Sequence, residues 1–188
     1  LCIYKKGEVS SLSGNQDGAF EHYFQIVNNF KSHEMFSFAL ENIMMGLFDA
    51  KDNERIIKEY SAYLDDAQMD IKFFNVHFIA AQTYLVVKKL PEAIDLLDKI
   101  LTIAEMTPED KSKVLVKKTE ALIKLDKNQE AVAFIEGNIA SFLNNEAYAH
   151  FLLGESYYKL KNFQKSIEEY NLVINKFPDS EYAQEAIY

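Results

Sequence analysis

Five positions at near-equal spacing constrain this chain more than any other feature of it. The stretch ESYYKLKNFQKS, Glu155 to Ser166, aligns with EALIKLDKNQEA, Glu120 to Ala131, and with QTYLVVKKLPEA, Gln82 to Ala93. Fainter copies reach their equivalent residue at Ile56 and Ala19. The anchors Ala19, Ile56, Ala93, Ala131 and Ser166 are therefore 37, 37, 38 and 35 residues apart. In the same register, NNFKSHEMFSFAL at 28–40 parallels NKFPDSEYAQEAI at 175–187. A period in the thirties is that of stacked helical hairpins. One such hairpin has too few apolar side chains to offset the entropy of ordering it, so it must bury its face on a neighbour.

Each copy reads as two helices, with apolar residues at i, i+3, i+4 and i+7. In the last copy Leu153, Tyr157 and Leu160 share one face, and Ile167, Tyr170 and Ile174 another. Short polar breaks separate the helices: 14–18, Asp52-Asn53, 126–128 and Lys161-Asn162. Pro91 suits the first turn of a helix, and so does Pro108 behind Thr107 as N-cap. Pro178 stops the helix before it. No segment sustains a two-residue alternation, so no strand is predicted. Gly154, with no side chain, lets the second helix approach the first; Ser166 and the matching alanines do the same from the other side. Tyr157 and Tyr170 fill the flanking volume.

Leu153-Gly154, Tyr157, Ser166, Tyr170 and Pro178 together resemble the tetratricopeptide repeat (TPR). Ala80-Ala81, Tyr84 and Ala93 match one unit earlier, and Gly7 and Ala19 match in the first. Met44 and Thr119 stand where the family prefers glycine or alanine, so a looser helix approach is expected there. The resemblance implies an all-α fold: a right-handed α-α superhelix, or solenoid, of about five hairpins over 1–33, 34–69, 70–109, 110–144 and 145–180. Residues 181–188 begin a further helix, and 1–188 form a single domain. A chain that opens at Leu1 within one helical pattern and stops at Tyr188 within another reads as a piece of a larger protein. Residues 175–188 are similar to a TPR subtype common in bacterial envelope proteins, including periplasmic factors of outer-membrane assembly and Tol–Pal function. Heavy use of Lys, Asn and Ile with a single arginine, Arg55, is the composition of an AT-rich bacterial genome, so the periplasm or cell envelope is favoured over the cytoplasm.

Composition removes several functions. A formal net charge of −9 with one arginine is unsuited to nucleic acid or anionic membrane, both of which need clustered cations. The most apolar run, VHFIAAQTYLVV, has twelve residues, and a membrane-spanning helix needs about 20. The lone cysteine, Cys2, cannot form an internal disulfide and is expected to be buried in a helix. No phosphate-cradling loop, nucleophile elbow or metalloprotease helix is present. Neither Glu168-Glu169 nor Asp65-Asp66 forms a catalytic pair, because adjacent helical residues point apart. His77 and His150 have no second ligand at metal spacing and are expected to fill inter-repeat volume; Met44-Met45 likewise reads as packing. His22 and His33 read as surface residues. No catalytic residue, metal or cofactor is predicted, and the chain is read as a non-enzyme.

In TPR proteins the first helix of each repeat lines the inside of the superhelix. The resemblance therefore implies an exposed inner stripe: Tyr4 and Glu8; Glu41, Met45 and Phe48; Phe78, Gln82 and Leu85; Val116, Glu120 and Ile123; Phe151, Glu155 and Tyr158. Each of the last four sets falls at i, i+4, i+7 on one helix face. The stripe is apolar and aromatic with acids and amides within it, the composition of an interface. The basic residues with which some TPR domains clamp a peptide carboxylate are missing. The expected function is a protein–protein interaction scaffold that holds a helix or extended segment of a partner, apolar or basic, in a bacterial envelope assembly. The alternatives are a structural spacer or self-assembly module, associating through uncapped ends, and a helical helper domain of a larger enzyme.

Overall fold

Among the described residues, five α-helices start at a side-chain cap. In the computed structural model, which describes residues 1–64 and 69–187, α1 (Cys2–Leu12), α2 (Gln16–Asn29), α3 (Met35–Asp49), α4 (Asn53–Tyr63) and α5 (Phe74–Val86) follow in order. They are followed by α6 (Leu90–Ile100), α7 (Pro108–Lys124), α8 (Asn128–Asn138), α9 (Glu146–Lys159), α10 (Phe163–Lys176) and the short α11 (Glu181–Glu185). The described residues contain no strand. Asn15, Asp52 and Asn162 cap α2, α4 and α10 by accepting from the backbone N–H three residues on. Thr107 Oγ1 accepts from the Asp110 N–H at 3.1 Å and donates to the Asp110 carboxylate at 2.9 Å, with Pro108 in the first turn of α7. A cap of this kind is worth about 1 kcal/mol. Burial pushes the Asp110 carboxyl up, but hydrogen bonds from Lys113 and Thr107 outweigh it and leave the group below the usual range.

The turns inside the five sequence repeats close the same way. Gly14, Lys51, Lys88, Asp126 and Lys161 all take left-handed backbone, with φ between 57° and 80°. Each lies five residues before its anchor. In each turn this residue's N–H bonds the carbonyl three back, and the next N–H reaches five back, as in Lys161 to Tyr158 and Asn162 to Tyr157, both 2.9 Å. This is the helix-ending motif that favours glycine, yet four of the five positions are not glycine.

The chain parts into two compact units, Leu1–Lys89 and Leu90–Tyr188, each described by itself. In the first unit each helix packs on the next, and α3 also touches α5. Its core holds Ala19, Tyr23 and Val27 of α2, Leu40, Ile43 and Met44 of α3, and Ile56 of α4. His77 is fully buried, shares a hydrogen bond of 2.9 Å with Tyr60 and meets Tyr60 and Phe73 edge-on. In the second unit consecutive helices again pack, with α7 on α9 and α9 on α11. Leu115, Leu122, Ile135, Phe142, Leu152, Leu153 and Tyr157 form its core. The buried Ser112 hydroxyl donates to the Phe142 carbonyl and accepts from Asn145 at 2.8 Å, tying α7 to the irregular segment before α9. The Tyr157 hydroxyl donates to Glu136 at 2.5 Å and accepts from Lys165 at 3.1 Å, joining α8, α9 and α10.

Gly7 and Gly154 each lie bare against an aromatic ring of the helix they pair with. A β-carbon on Gly154 would stand 2.5 Å from the Tyr170 ring, and one on Gly7 would stand 2.6 Å from the Tyr23 ring. Ser166 Oγ donates to the Gly154 carbonyl at 2.9 Å. The pairs α1–α2 and α9–α10 share longer faces than α3–α4, where Met44 is buried, or α7–α8, where the buried Thr119 hydroxyl bonds the Leu115 carbonyl at 2.9 Å.

Two expectations about these helices need correction. Cys2 is exposed, because α1 buries only Gly7 and turns its other residues toward solvent or partial cover. Ile167 is 56 % exposed; α10 buries Ser166 and Val173 instead, one residue round the helix from the apolar stripe read in the sequence. Met44 is fully buried, while Met45, which belongs to the expected inner stripe, is 50 % exposed. The acidic pair Asp65-Asp66 lies outside the described residues.

Candidate partner-binding surface

In the first unit α1, α3 and α5 carry the predicted inner residues. Tyr4 rests against Tyr23 at 5.6 Å and against the exposed Phe38 at 6.4 Å, and its hydroxyl accepts from Asn42 at 3.2 Å. Burial raises the Tyr4 hydroxyl's pKa, and that of Tyr23 is pushed up to about 12. Glu8 is held by Lys5 at 2.6 Å. Beyond this aromatic step lies a groove between α3 and α5, of about 300 Å³, lined by Glu41, Met45, Phe48, Asp49, Asn75, Phe78, Ile79 and Gln82. Met45 and Phe48 are 50 % and 37 % exposed. Phe78 is half-buried and stacks on Phe74 with ring centroids 5.7 Å apart. Asn75 donates to Glu41 at 2.8 Å, bridging the rim.

This groove brings together five residues read from the sequence: Glu41, Met45, Phe48, Phe78 and Gln82. Leu85 is buried, not exposed. Sequence reasoning missed Asp49, Asn75 and Ile79. Asp49 sits eight residues after Glu41 and Asn75 three before Phe78, both on the same faces as their partners; widening the stripe by one position on either side would have included them.

The second unit is arranged differently. Val116 and Ile123 are buried in its core, again contrary to the expected exposure, because α7 is flanked by α8 and α9. The Glu120 carboxylate accepts from Lys117 at 3.0 Å and from the Tyr148 hydroxyl at 3.2 Å. Tyr148 stacks on Tyr182 of α11 with centroids 4.4 Å apart. Burial raises both hydroxyls, Tyr148 further and Tyr182 to about 12, with Glu120 adding to each. Phe151 sits 5.7 Å from both Tyr170 and Tyr182, so α11 partly covers it. Glu155 is half-buried, whereas Tyr158 is 62 % exposed with its ring edge on Phe163.

His150 and His33, like His77, make hydrogen bonds within the fold. His150 Nδ1 lies 2.6 Å from Glu169, and its ring stacks over Phe177. The His33 ring accepts from the Met35 N–H at 3.1 Å. Among the described residues no three His, Cys, Asp or Glu side chains converge as a metal site, and no helix is long and apolar enough to cross a membrane.

Residues 147–180 match the tetratricopeptide repeat family. No curated protein matches the chain. Among solved structures, MamA superimposes with a TM-score of 0.74 at 14 % identity, over 93 % of this chain and 90 % of its own. The nearly identical TPR-like repeats of a Podosopora anserina kinesin light chain give 0.65 at 15 %, over 95 % and 96 %. YrrB, described as a TPR protein with an unusual peptide-binding site, gives 0.63 at 17 %, over 85 % and 75 %. The chain thus has the helical-hairpin fold of the tetratricopeptide repeat proteins and carries a repeat of that family at residues 147–180.

Proposed function

We propose that this chain is a non-catalytic interaction scaffold that holds a segment of a partner protein against α3 and α5. The single observation carrying this reading is the groove in which exposed Met45, Phe48 and half-buried Phe78 meet beneath a rim of acids and amides. Exposed apolar side chains gathered in a concavity and ringed by polar groups are the anchors of interfaces. The peptide-binding site named for YrrB supports the same kind of use for this fold. The similarity of residues 175–188 to the repeats of bacterial envelope proteins supports a partner in an envelope assembly.

The test begins with peptides selected from a random displayed library on the chain of residues 1–188. Their affinity is then measured by calorimetry for the wild type and for a Met45→Ser/Phe78→Ser variant of unchanged circular dichroism. Loss of two apolar anchors predicts a fall of at least about tenfold. Equal affinities would remove the groove from the binding surface.

A further inference from the structure

Resting on the groove reading, we infer that the occupant is an extended basic segment, with an apolar residue between two cationic ones. The groove lining contains two carboxylates and no cation. Both carboxylates stand on α3, at Glu41 and Asp49, with Met45 midway between them. At ~1.5 Å of rise per residue, the eight-residue step places them about 12 Å apart along the helix on one face. Asp49 is exposed. Glu41 takes its hydrogen bond from the neutral Asn75, so its charge is oriented and not cancelled.

An extended chain advances ~3.3 Å per residue and turns alternate side chains to one face, so its residues i, i+2 and i+4 span about 13 Å. A cation, an apolar side chain and a second cation in those positions meet Glu41, the floor of Met45, Phe48 and Phe78, and Asp49 in turn. The volume of about 300 Å³ suits one large apolar side chain and its neighbours. In an α-helix residues i and i+4 stand only about 6 Å apart along the axis, too short a step to meet both carboxylates. Like charge at the rim excludes acidic segments, so the same two carboxylates supply selectivity.

The experiment is fluorescence anisotropy with the chain of residues 1–188 and three short labelled peptides, centred on Lys-Ser-Leu-Ser-Lys, Glu-Ser-Leu-Ser-Glu and Lys-Ser-Ser-Ser-Lys. The first is expected to bind most tightly, and to weaken as salt rises. Glu41→Lys/Asp49→Lys is expected to cost it at least about tenfold, the effect of two rim pairs turned repulsive, and to transfer preference to the acidic peptide. A reversal of preference cannot come from misfolding. If basic and acidic peptides bind equally and both are lost in Phe78→Ser, the charge assignment is wrong while the groove reading stands. If no peptide binds, or Phe78→Ser changes nothing, both are overturned.

Discussion

Tyr170 lies against the bare α-carbon of Gly154, so close that a β-carbon there would meet ring Cε1 at 2.5 Å. Tyr23 stands in the same relation to Gly7, sixteen residues on in both cases. Each pair lets two antiparallel helices close with an aromatic ring in place of a gap. The Ser166 hydroxyl, bonded to the Gly154 carbonyl, sits in the same contact.

Gly154→Ala is expected to destabilise the chain by about 1–3 kcal/mol, the cost of overpacking a closed contact. Tyr170→Leu in the same chain is expected to absorb part of that loss, giving non-additive urea midpoints. Gly137, inside α8, has open space where its β-carbon would go, so Gly137→Ala is expected to stabilise by about 0.5–1 kcal/mol. Equal effects of the two alanine substitutions would contradict the close-contact account.

Lys51 and Lys161 carry side chains in left-handed backbone that glycine occupies without penalty. Lys51→Gly and Lys161→Gly are each expected to raise stability by about 0.5–1 kcal/mol, the relieved strain less the greater entropy of an unfolded glycine. Thermal midpoints measured singly and together check this; a lowered midpoint in both variants runs against it.

Much of the fold was legible because its spacing is physical. The anchors at Ala19 and Ser166 and the glycines at Gly7 and Gly154 are small because a helix passes over them, and smallness can be read in a sequence. The left-handed lysines were not legible, since lysine has no intrinsic reason to stand there. Nor was the distinction between exposed and buried inner residues. Phe48 and Leu85 occupy the same stripe position, yet Phe48 is 37 % exposed and Leu85 8 %. Burial depends on which neighbour covers a face, and periodicity names the face without naming its cover. Cys2 was misread for the same reason: a helical pattern does not tell whether the face in question has anything packed on it.

Tyr148 and Tyr182 stack with their hydroxyls held neutral, each pushed up first by burial. A raised folded-state value contributes stability that is intact below the ordinary tyrosine value of 10.0 and is lost as pH climbs through about 12. Alkaline unfolding of the C-terminal unit is therefore expected to coincide with tyrosinate absorbance in that window. A Tyr148→Phe/Tyr182→Phe variant is expected to unfold at higher pH. An alkaline midpoint unmoved by the double change would show that the stacked pair carries no such linkage.

The groove claim meets its most direct test in two adjacent methionines of α3. Met45 faces the groove and Met44 is fully buried behind it. With carbon-13-labelled methionine methyl groups, the two report on opposite sides of one helix during titration with a selected peptide. Saturable movement of the Met45 methyl, with Met44 nearly still, is the predicted result; saturable binding that leaves Met45 unmoved would contradict it.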